Sequence, residues 1–261
     1  MRKILCFFLF LLLAACQKKP SADTLQVGTI AGPETALMQV AASVAQERYG
    51  LHVNIIEFSD YAIPNAALSE GSLDANMFQH APYLQNAISH RHYPLVAVAK
   101  TFIYPMGIYS KKIKTLSALP NKALVVIPND PTNEARALFL LQKAGLITLK
   151  KGSDDTATVL SIESNPKKLT IKEMDAAELP RVLEDVSLAV INTNYAVPAG
   201  LVPNQDALFL EDKSAPYANL LVVKKSDATN PKVQQLIEAL HSDEVKAKAK
   251  SLFNGQAIPA W

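Results

Sequence analysis

Apolar and polar residues alternate along residues 25–31 and the pattern breaks at Gly32 and Pro33, which predicts a strand followed by a turn. Residues 34–49 carry Leu37, Val40, Ala41 and Val44 at the spacing of an amphipathic helix, with Gly50 placed to stop it. A second strand is expected over 52–58, with Ser59, Asp60 and Tyr61 at its carboxyl end, then a helical stretch over 64–70. From Asp74 to His80 the alternation suits a strand running out of a core, so that Asn76, Phe78 and His80 share one face and could line a pocket; Pro82 marks the next helix start. The same pattern also fits a half-buried strand whose polar residues only cap its end. Residues 95–109 are apolar enough for one or two more strands. Such a succession predicts an α/β sheet, in which ligands gather outside the carboxyl ends of the strands.

The pattern then restarts. Residues 123–127 form a β-branched run expected as a strand buried on both faces, and 128–133 form a dense turn. A helix is predicted over 134–144 with Gly145 as its stop, a strand over 169–173, a helix over 179–186 and a core strand over 187–192. A strand over 220–224 and one long helix over 231–253 complete the chain. Two α/β units in succession predict two lobes, 24–108 plus 216–261 and 109–215, with the last elements returning to the first.

The amino-terminal end reads differently. Arg2 and Lys3 precede an unbroken apolar run over 4–13, too short to span a bilayer comfortably, and the run ends on small residues. This predicts a signal peptide over residues 1–15. Leu13-Ala-Ala-Cys16 resembles the bacterial lipobox, which makes Cys16 the expected lipid attachment point and 16–23 a polar tether. Cleavage would remove Cys6 and so exclude a disulfide. It would also remove Arg2 and Lys3 from the 26 Lys+Arg, which levels them with the 24 Asp+Glu. A neutral surface gives no argument for nucleic acid or for electrostatic membrane binding. At 49% hydrophobic the remainder can build a proper core.

Candidate chemistry is sparse. Arg136 falls on the expected first turn of the 134–144 helix, so its guanidinium would sit beside free backbone N–H groups at the positive end, an anion site suited to bidentate capture of a carboxylate. A solvated surface arginine is the alternative. Asn192 and Asn219 lie at element edges, where their oxygens could accept from an ammonium group or merely form turns. His52, His80, His90, His92 and His241 make no metal-ligand pattern. The sequence carries no Gly-rich phosphate loop, Gly-x-Ser-x-Gly or paired-Cys signature, so no catalytic residue and no cofactor is expected.

Several longer motifs carry a resemblance: Ser59-Asp-Tyr61, Pro64-Asn65, Leu73-Asp-Ala-Asn76, Phe78-Gln-His-Ala-Pro-Tyr83, Tyr104-Pro105, Pro128-Asn-Asp-Pro-Thr-Asn133, Leu179-Pro-Arg181, Ala189-Val-Ile-Asn192 and Ser214-Ala-Pro-Tyr217. Together they resemble the NlpA/MetQ family of methionine-binding lipoproteins, from Leu25 to the end. The resemblance implies a two-lobed, type II periplasmic-binding-protein-like α/β fold with a hinge, enclosing an amino acid between the lobes for an ATP-binding-cassette importer. Tyr61, Phe78, His80 and Tyr83 would surround the ligand side chain. Arg136 would hold the carboxylate with Asn133 nearby, and Asn192 and Asn219 would bind the amino or carboxylate end. Ala135, where many relatives have Gly, and Met77 are local departures. Expected partners are methionine, the L form first, with D-methionine and methionine peptides as alternatives, and a permease with its ATPase subunit. The chain would be monomeric, lipid-anchored to the cell membrane or outer membrane, and would face the periplasm or exterior. Competing readings are a surface lipoprotein that contacts another macromolecule and a lipid-anchored hydrolase, the latter without a pairable nucleophile and base.

Overall fold

The computed structural model describes residues 24–212, 214 and 216–261; the expected signal peptide and lipid attachment at Cys16 lie outside the described residues. The chain opens with β1 (Thr24–Ile30), α1 (Pro33–Tyr49), β2 (His52–Phe58), α2 (Pro64–Glu70), β3 (Ala75–His80), α3 (Ala81–Arg91) and β4 (Leu95–Ile103). Gly50 ends α1 in the left-handed region, φ 68°, where a side chain would be strained. There follow β5 (Gly107–Tyr109), β6 (Leu124–Pro128), α4 (Pro131–Lys143), β7 (Thr148–Leu149), β8 (Ile162–Ser164), β9 (Thr170–Met174) and β10 (Leu188–Ile191). The rest is α5 (Thr193–Ala196), α6 (Pro203–Asp206), β11 (Phe209–Leu210), β12 (Ala218–Lys224), α7 (Pro231–Leu240), α8 (Asp243–Leu252) and β13 (Ile258–Pro259).

The strands form a six-stranded sheet ordered β13-β4-β12-β3-β1-β2 and a five-stranded sheet ordered β11-β5-β10-β6-β9, with β7 and β8 paired apart. β1 pairs in parallel with β2 and β3, while β12 returns antiparallel between β3 and β4. On one face of the first sheet, Leu37 and Met38 of α1, Leu236 of α7 and Val245 of α8 pack against Met77 and Leu221. In the second sheet Val125 and Ile127 pack against Leu138 and Leu141 of α4. A third apolar cluster joins the two, with Ile30 and Phe78 from one side and Val126, Ile191 and Tyr195 from the other.

The chain crosses between the sheets twice, through Tyr104, Pro105 and Met106 and again between β11 and β12. The crossings are tied together. Glu211 N–H donates to the Met106 carbonyl at 2.8 Å, and Met106 N–H donates to Glu211 Oε2 at 3.1 Å. Gly107 leads out of the first crossing with the Tyr109 ring folded over it; a Cβ there would lie 2.6 Å from that ring.

Four local expectations are corrected. The helix predicted from 134 starts at Pro131, because Asp130 caps it, its side chain accepting the Asn133 N–H, and Pro fits the first helical position. The long helix over 231–253 is two, because Ser242 caps α8 by accepting the Val245 N–H. The helix expected over 179–186 shrinks to a short 3₁₀ turn, Leu179–Val182. Finally, Asn76, Phe78 and His80 do not keep one uninterrupted face. Leu220 pairs with Gln79 but Leu221 with Met77, so Phe78 is an extra residue in β3, a bulge that resets the alternation.

Candidate functional site

The carboxyl ends of β2 and β3 deliver the aromatic side of a cleft between the two sheets. Tyr61 lies 5.9 Å from Phe78 and 6.0 Å from Tyr83, and Phe78 meets Tyr83 edge-on at 5.6 Å, centroid to centroid. Hydrogen bonds fix these rings. Tyr83 OH donates to the Tyr61 carbonyl at 2.8 Å, and Tyr61 OH donates to Asn194 Oδ1 at 2.8 Å across the cleft. Such a wall suits an apolar, polarizable side chain.

His80 stands where this wall meets the polar end. As the cap of α3 it accepts the Tyr83 N–H on Nδ1 at 3.3 Å, which leaves the proton on Nε2 to donate to Asn133 Oδ1 at 3.4 Å. Burial, and after it the positive charge of Arg136, lower its pKa to about 3, so the ring is neutral near pH 7. Asn133 is held in turn by Asp130, to which its Nδ2 donates at 3.0 and 2.9 Å, and its Oδ1 also accepts from Asn192 Nδ2 at 2.8 Å. Burial raises the Asp130 carboxyl, against hydrogen bonds from Asn133 and Thr132 that lower it.

Arg136 is 4% exposed, which removes the solvated alternative, and it sits on the second turn of α4 rather than the first. The helix end it was expected to share is capped by Asp130, which accepts the Asn133 N–H, and Arg136 lies beyond that first turn. Its Nε donates to Glu211 Oε1 at 3.0 Å, its Nη2 to Glu211 Oε2 and to the Tyr104 carbonyl at 2.9 Å, and Tyr217 stacks on it at 4.2 Å. The guanidinium thus braces both crossings with one edge and takes part in lining the cleft.

Asn219 lies across from His80 in the β3–β12 ladder and donates from Nδ2 to Glu34 Oε1 at 2.7 Å. Glu34, in the first turn of α1, is buried, and burial pushes its carboxyl up to about 8 despite that bond. Asp74 and Asn76, which the resemblance leaves outside the ligand set, serve the fold. Asp74 Oδ2 accepts the Gln26 N–H at 2.7 Å, and Asn76 joins Asn65 and Gln79 in a closed cluster of buried amides.

All eight binding candidates, Tyr61, Phe78, His80, Tyr83, Asn133, Arg136, Asn192 and Asn219, come together on one cleft. Tyr104, Thr193 and Asn194 line it as well. Of these, Tyr104 stands in the sequence within the Tyr104-Pro105 motif, while Thr193 and Asn194 follow the strand over 187–192 with no signal that sets them apart. Among the described residues, Asn192 Oδ1, Asn194 Nδ2 and Tyr104 OH are buried polar atoms with no partner, and all three side chains belong to this cleft. Unpaired buried groups cost stability unless something fills them, so an acceptor, a donor and a hydroxyl wait beside one guanidinium. This is an arrangement for a small zwitterion with an apolar tail.

A family model described as NlpA lipoprotein matches residues 25–261. The chain is 48% identical over 254 residues to the D-methionine-binding lipoprotein MetQ of Salmonella typhi, covering 96% of this chain and 94% of that one. Among solved structures, an ABC transporter periplasmic substrate-binding protein from Coxiella burnetii is 58% identical with a TM-score of 0.88, over 90% of this chain and 100% of that one. A nutrient-binding protein from Burkholderia cenocepacia, solved bound to methionine, is 51% identical with a TM-score of 0.89, over 91% and 100% of the two chains. The fold is therefore the two-lobed α/β type of the periplasmic binding proteins, and the chain belongs to the NlpA lipoprotein family.

Proposed function

We propose that the protein is a substrate-binding lipoprotein that captures methionine between its lobes and delivers it to an importer of the ATP-binding-cassette type. The observation that carries this reading is the cleft itself, an aromatic wall joined to unpartnered donors and acceptors and a buried guanidinium. Tyr61, Phe78, His80 and Tyr83 would hold the thioether, each aromatic contact with sulfur contributing about 0.3–1.5 kcal/mol. The carboxylate would lie toward Arg136 and Asn194, and the ammonium toward the oxygens of Asn192 and Asn219, with Asn133 keeping His80 and Asn192 in place. The protein acts by binding, with no catalytic step.

The lobes expected at 24–108 plus 216–261 and at 109–215 would part at the two crossings, with Gly107 and Ile108 going to the second lobe because β5 pairs with β10 there, and the crossings would form the hinge about which the lobes shut on the ligand. After loss of residues 1–15, lipid on Cys16 and the tether over 16–23 would keep the monomer on the cell membrane or outer membrane. That tethering would raise its concentration near the permease and its ATPase subunit. The methionine-bound relative supports the ligand, and the name of the Salmonella relative keeps the D enantiomer beside the L form, which is the first expectation.

Calorimetry decides. A form beginning at residue 23, which keeps every described element, is unfolded and refolded to remove carried-over ligand and titrated with L-methionine, D-methionine and methionine dipeptides. Saturable heat with one of them is expected, and silence with all of them overturns the reading.

A further inference from the structure

Glu34 is 1% exposed, and among the described residues it is the buried carboxyl with an oxygen, Oε2, that meets no hydrogen-bond partner. Its other oxygen accepts from Asn219, a residue of the cleft wall, at 2.7 Å. The titratable groups whose fields it meets are the hydroxyls of Tyr61, Tyr104 and Tyr195, drawn from the segment after β2, the first crossing and α5. No cation pairs with it among the described residues. Elsewhere around the cleft the charges are already matched or committed. Arg136 is paired with Glu211, and Asp130 is taken up by Asn133, Thr132 and the start of α4. A ligand ammonium entering this cleft therefore finds, behind Asn219, a buried carboxyl with one oxygen committed to no partner.

We propose that Glu34 is the counter-charge for the ammonium group of the amino-acid ligand, acting through Asn219, and that it releases a proton to solvent as the ligand binds. The proposal rests on the amino-acid reading of the cleft. It explains why an acid is buried at a position where a neutral amide would satisfy Asn219 equally well. In the empty protein the carboxyl is protonated at pH 7, because its pKa is raised to about 8 by burial. An ammonium nearby favours the ionised form, so the zwitterion enters, the Glu34 O–H bond breaks, and the proton leaves to the buffer. The sign follows. Below the raised pKa, binding is coupled to proton release and affinity rises with pH, by up to about tenfold per unit, and it levels off above that pKa.

The test is calorimetry with L-methionine on the refolded protein at pH 7 in phosphate and in Tris, whose different ionisation heats count the protons exchanged, with affinities at pH 6, 7 and 8. Close to one proton released per ligand and affinity rising with pH are expected for the unaltered chain. Glu34→Gln, which keeps the acceptor for Asn219, should release none and lose the pH dependence. Binding of L-methionine by the unaltered chain without proton release overturns the role of Glu34 and leaves the ligand reading standing. A Glu34→Gln variant that keeps the full proton count does the same. Absence of binding at every pH overturns both.

Discussion

Arg136 and Glu211 restrain one another, and that changes what a single substitution should do. On sequence alone Arg136 is a helix-end anion binder whose removal weakens binding and spares the fold. The buried pair with Glu211 adds a stability cost, because truncating one partner strands a charge, typically at 3–5 kcal/mol. Arg136→Ala is therefore expected to lose about that much stability in urea unfolding and also at least about 1.5 kcal/mol of methionine affinity. Replacing both, as Arg136→Met with Glu211→Leu, should recover most of the stability and none of the affinity, which separates the two roles. Recovered affinity in the double variant would remove Arg136 from the ligand. Glu211 was not legible in advance, since a lone acid in a short segment shows nothing of the arginine it meets 75 positions away. Glu34 was hidden for a related reason: an acid in a helix's first turn is ordinary.

His80 carries the second prediction at this scale. Its folded pKa of about 3 lies below the ordinary 6.5, so the unfolded chain binds more protons between those values. Stability from this residue is complete above about pH 6.5 and is lost as pH falls toward about 3, on the order of 1.4 kcal/mol per unit. Thermal melts of the ligand-free protein at pH 7, 6, 5 and 4 should decline more steeply for the unaltered chain than for His80→Asn. Asn retains a side-chain acceptor for the Tyr83 N–H but cannot titrate. Parallel declines would mean that protonation of His80 does not govern acid sensitivity.

At the scale of elements, periodicity placed most strands and helices, since Leu37, Val40, Ala41 and Val44 or the run over 123–127 must face a core whatever the rest of the chain does. Boundaries failed where a polar side chain decides them. Asp130 and Ser242 are both caps that sit inside stretches read as turn or as helix, and the Phe78 bulge is invisible without its partner strand. The two caps give a paired prediction. Asp130→Ala and Ser242→Ala should each cost about 0.5–2 kcal/mol of stability. Only the Asp130 variant should also weaken methionine binding, because Asp130 alone orients Asn133, which in turn holds His80 and Asn192. Equal affinities in the two variants, measured by calorimetry, would mean that Asn133 needs no such support.

For the whole molecule, the two sheets meet across a cleft whose polar atoms are not all satisfied, and the hydrogen bonds named across it are few. Tyr61 OH reaches Asn194 at 2.8 Å, Tyr195 OH reaches the Ser59 carbonyl at 3.3 Å, and His80 reaches Asn133 at 3.4 Å. Each such bond contributes only about 0.5–1.5 kcal/mol net. They act beside the apolar cluster that Ile30 and Phe78 share with Val126 and Ile191. Against them stand Asn192 Oδ1, Asn194 Nδ2 and Tyr104 OH, which an open cleft would return to water. A ligand that pairs these groups shifts the balance by its difference in affinity for the closed and open forms, and by no more than that. Small-angle scattering on the refolded, ligand-free protein should accordingly give a larger radius of gyration than after methionine is added. Tyr61→Phe, which deletes one tie and leaves the ring in place, should bind more weakly by about 0.5–1.5 kcal/mol, chiefly through faster release. If methionine binds while the scattering stays unchanged, closure precedes the ligand, and the crossings then act as a rigid brace rather than as a hinge.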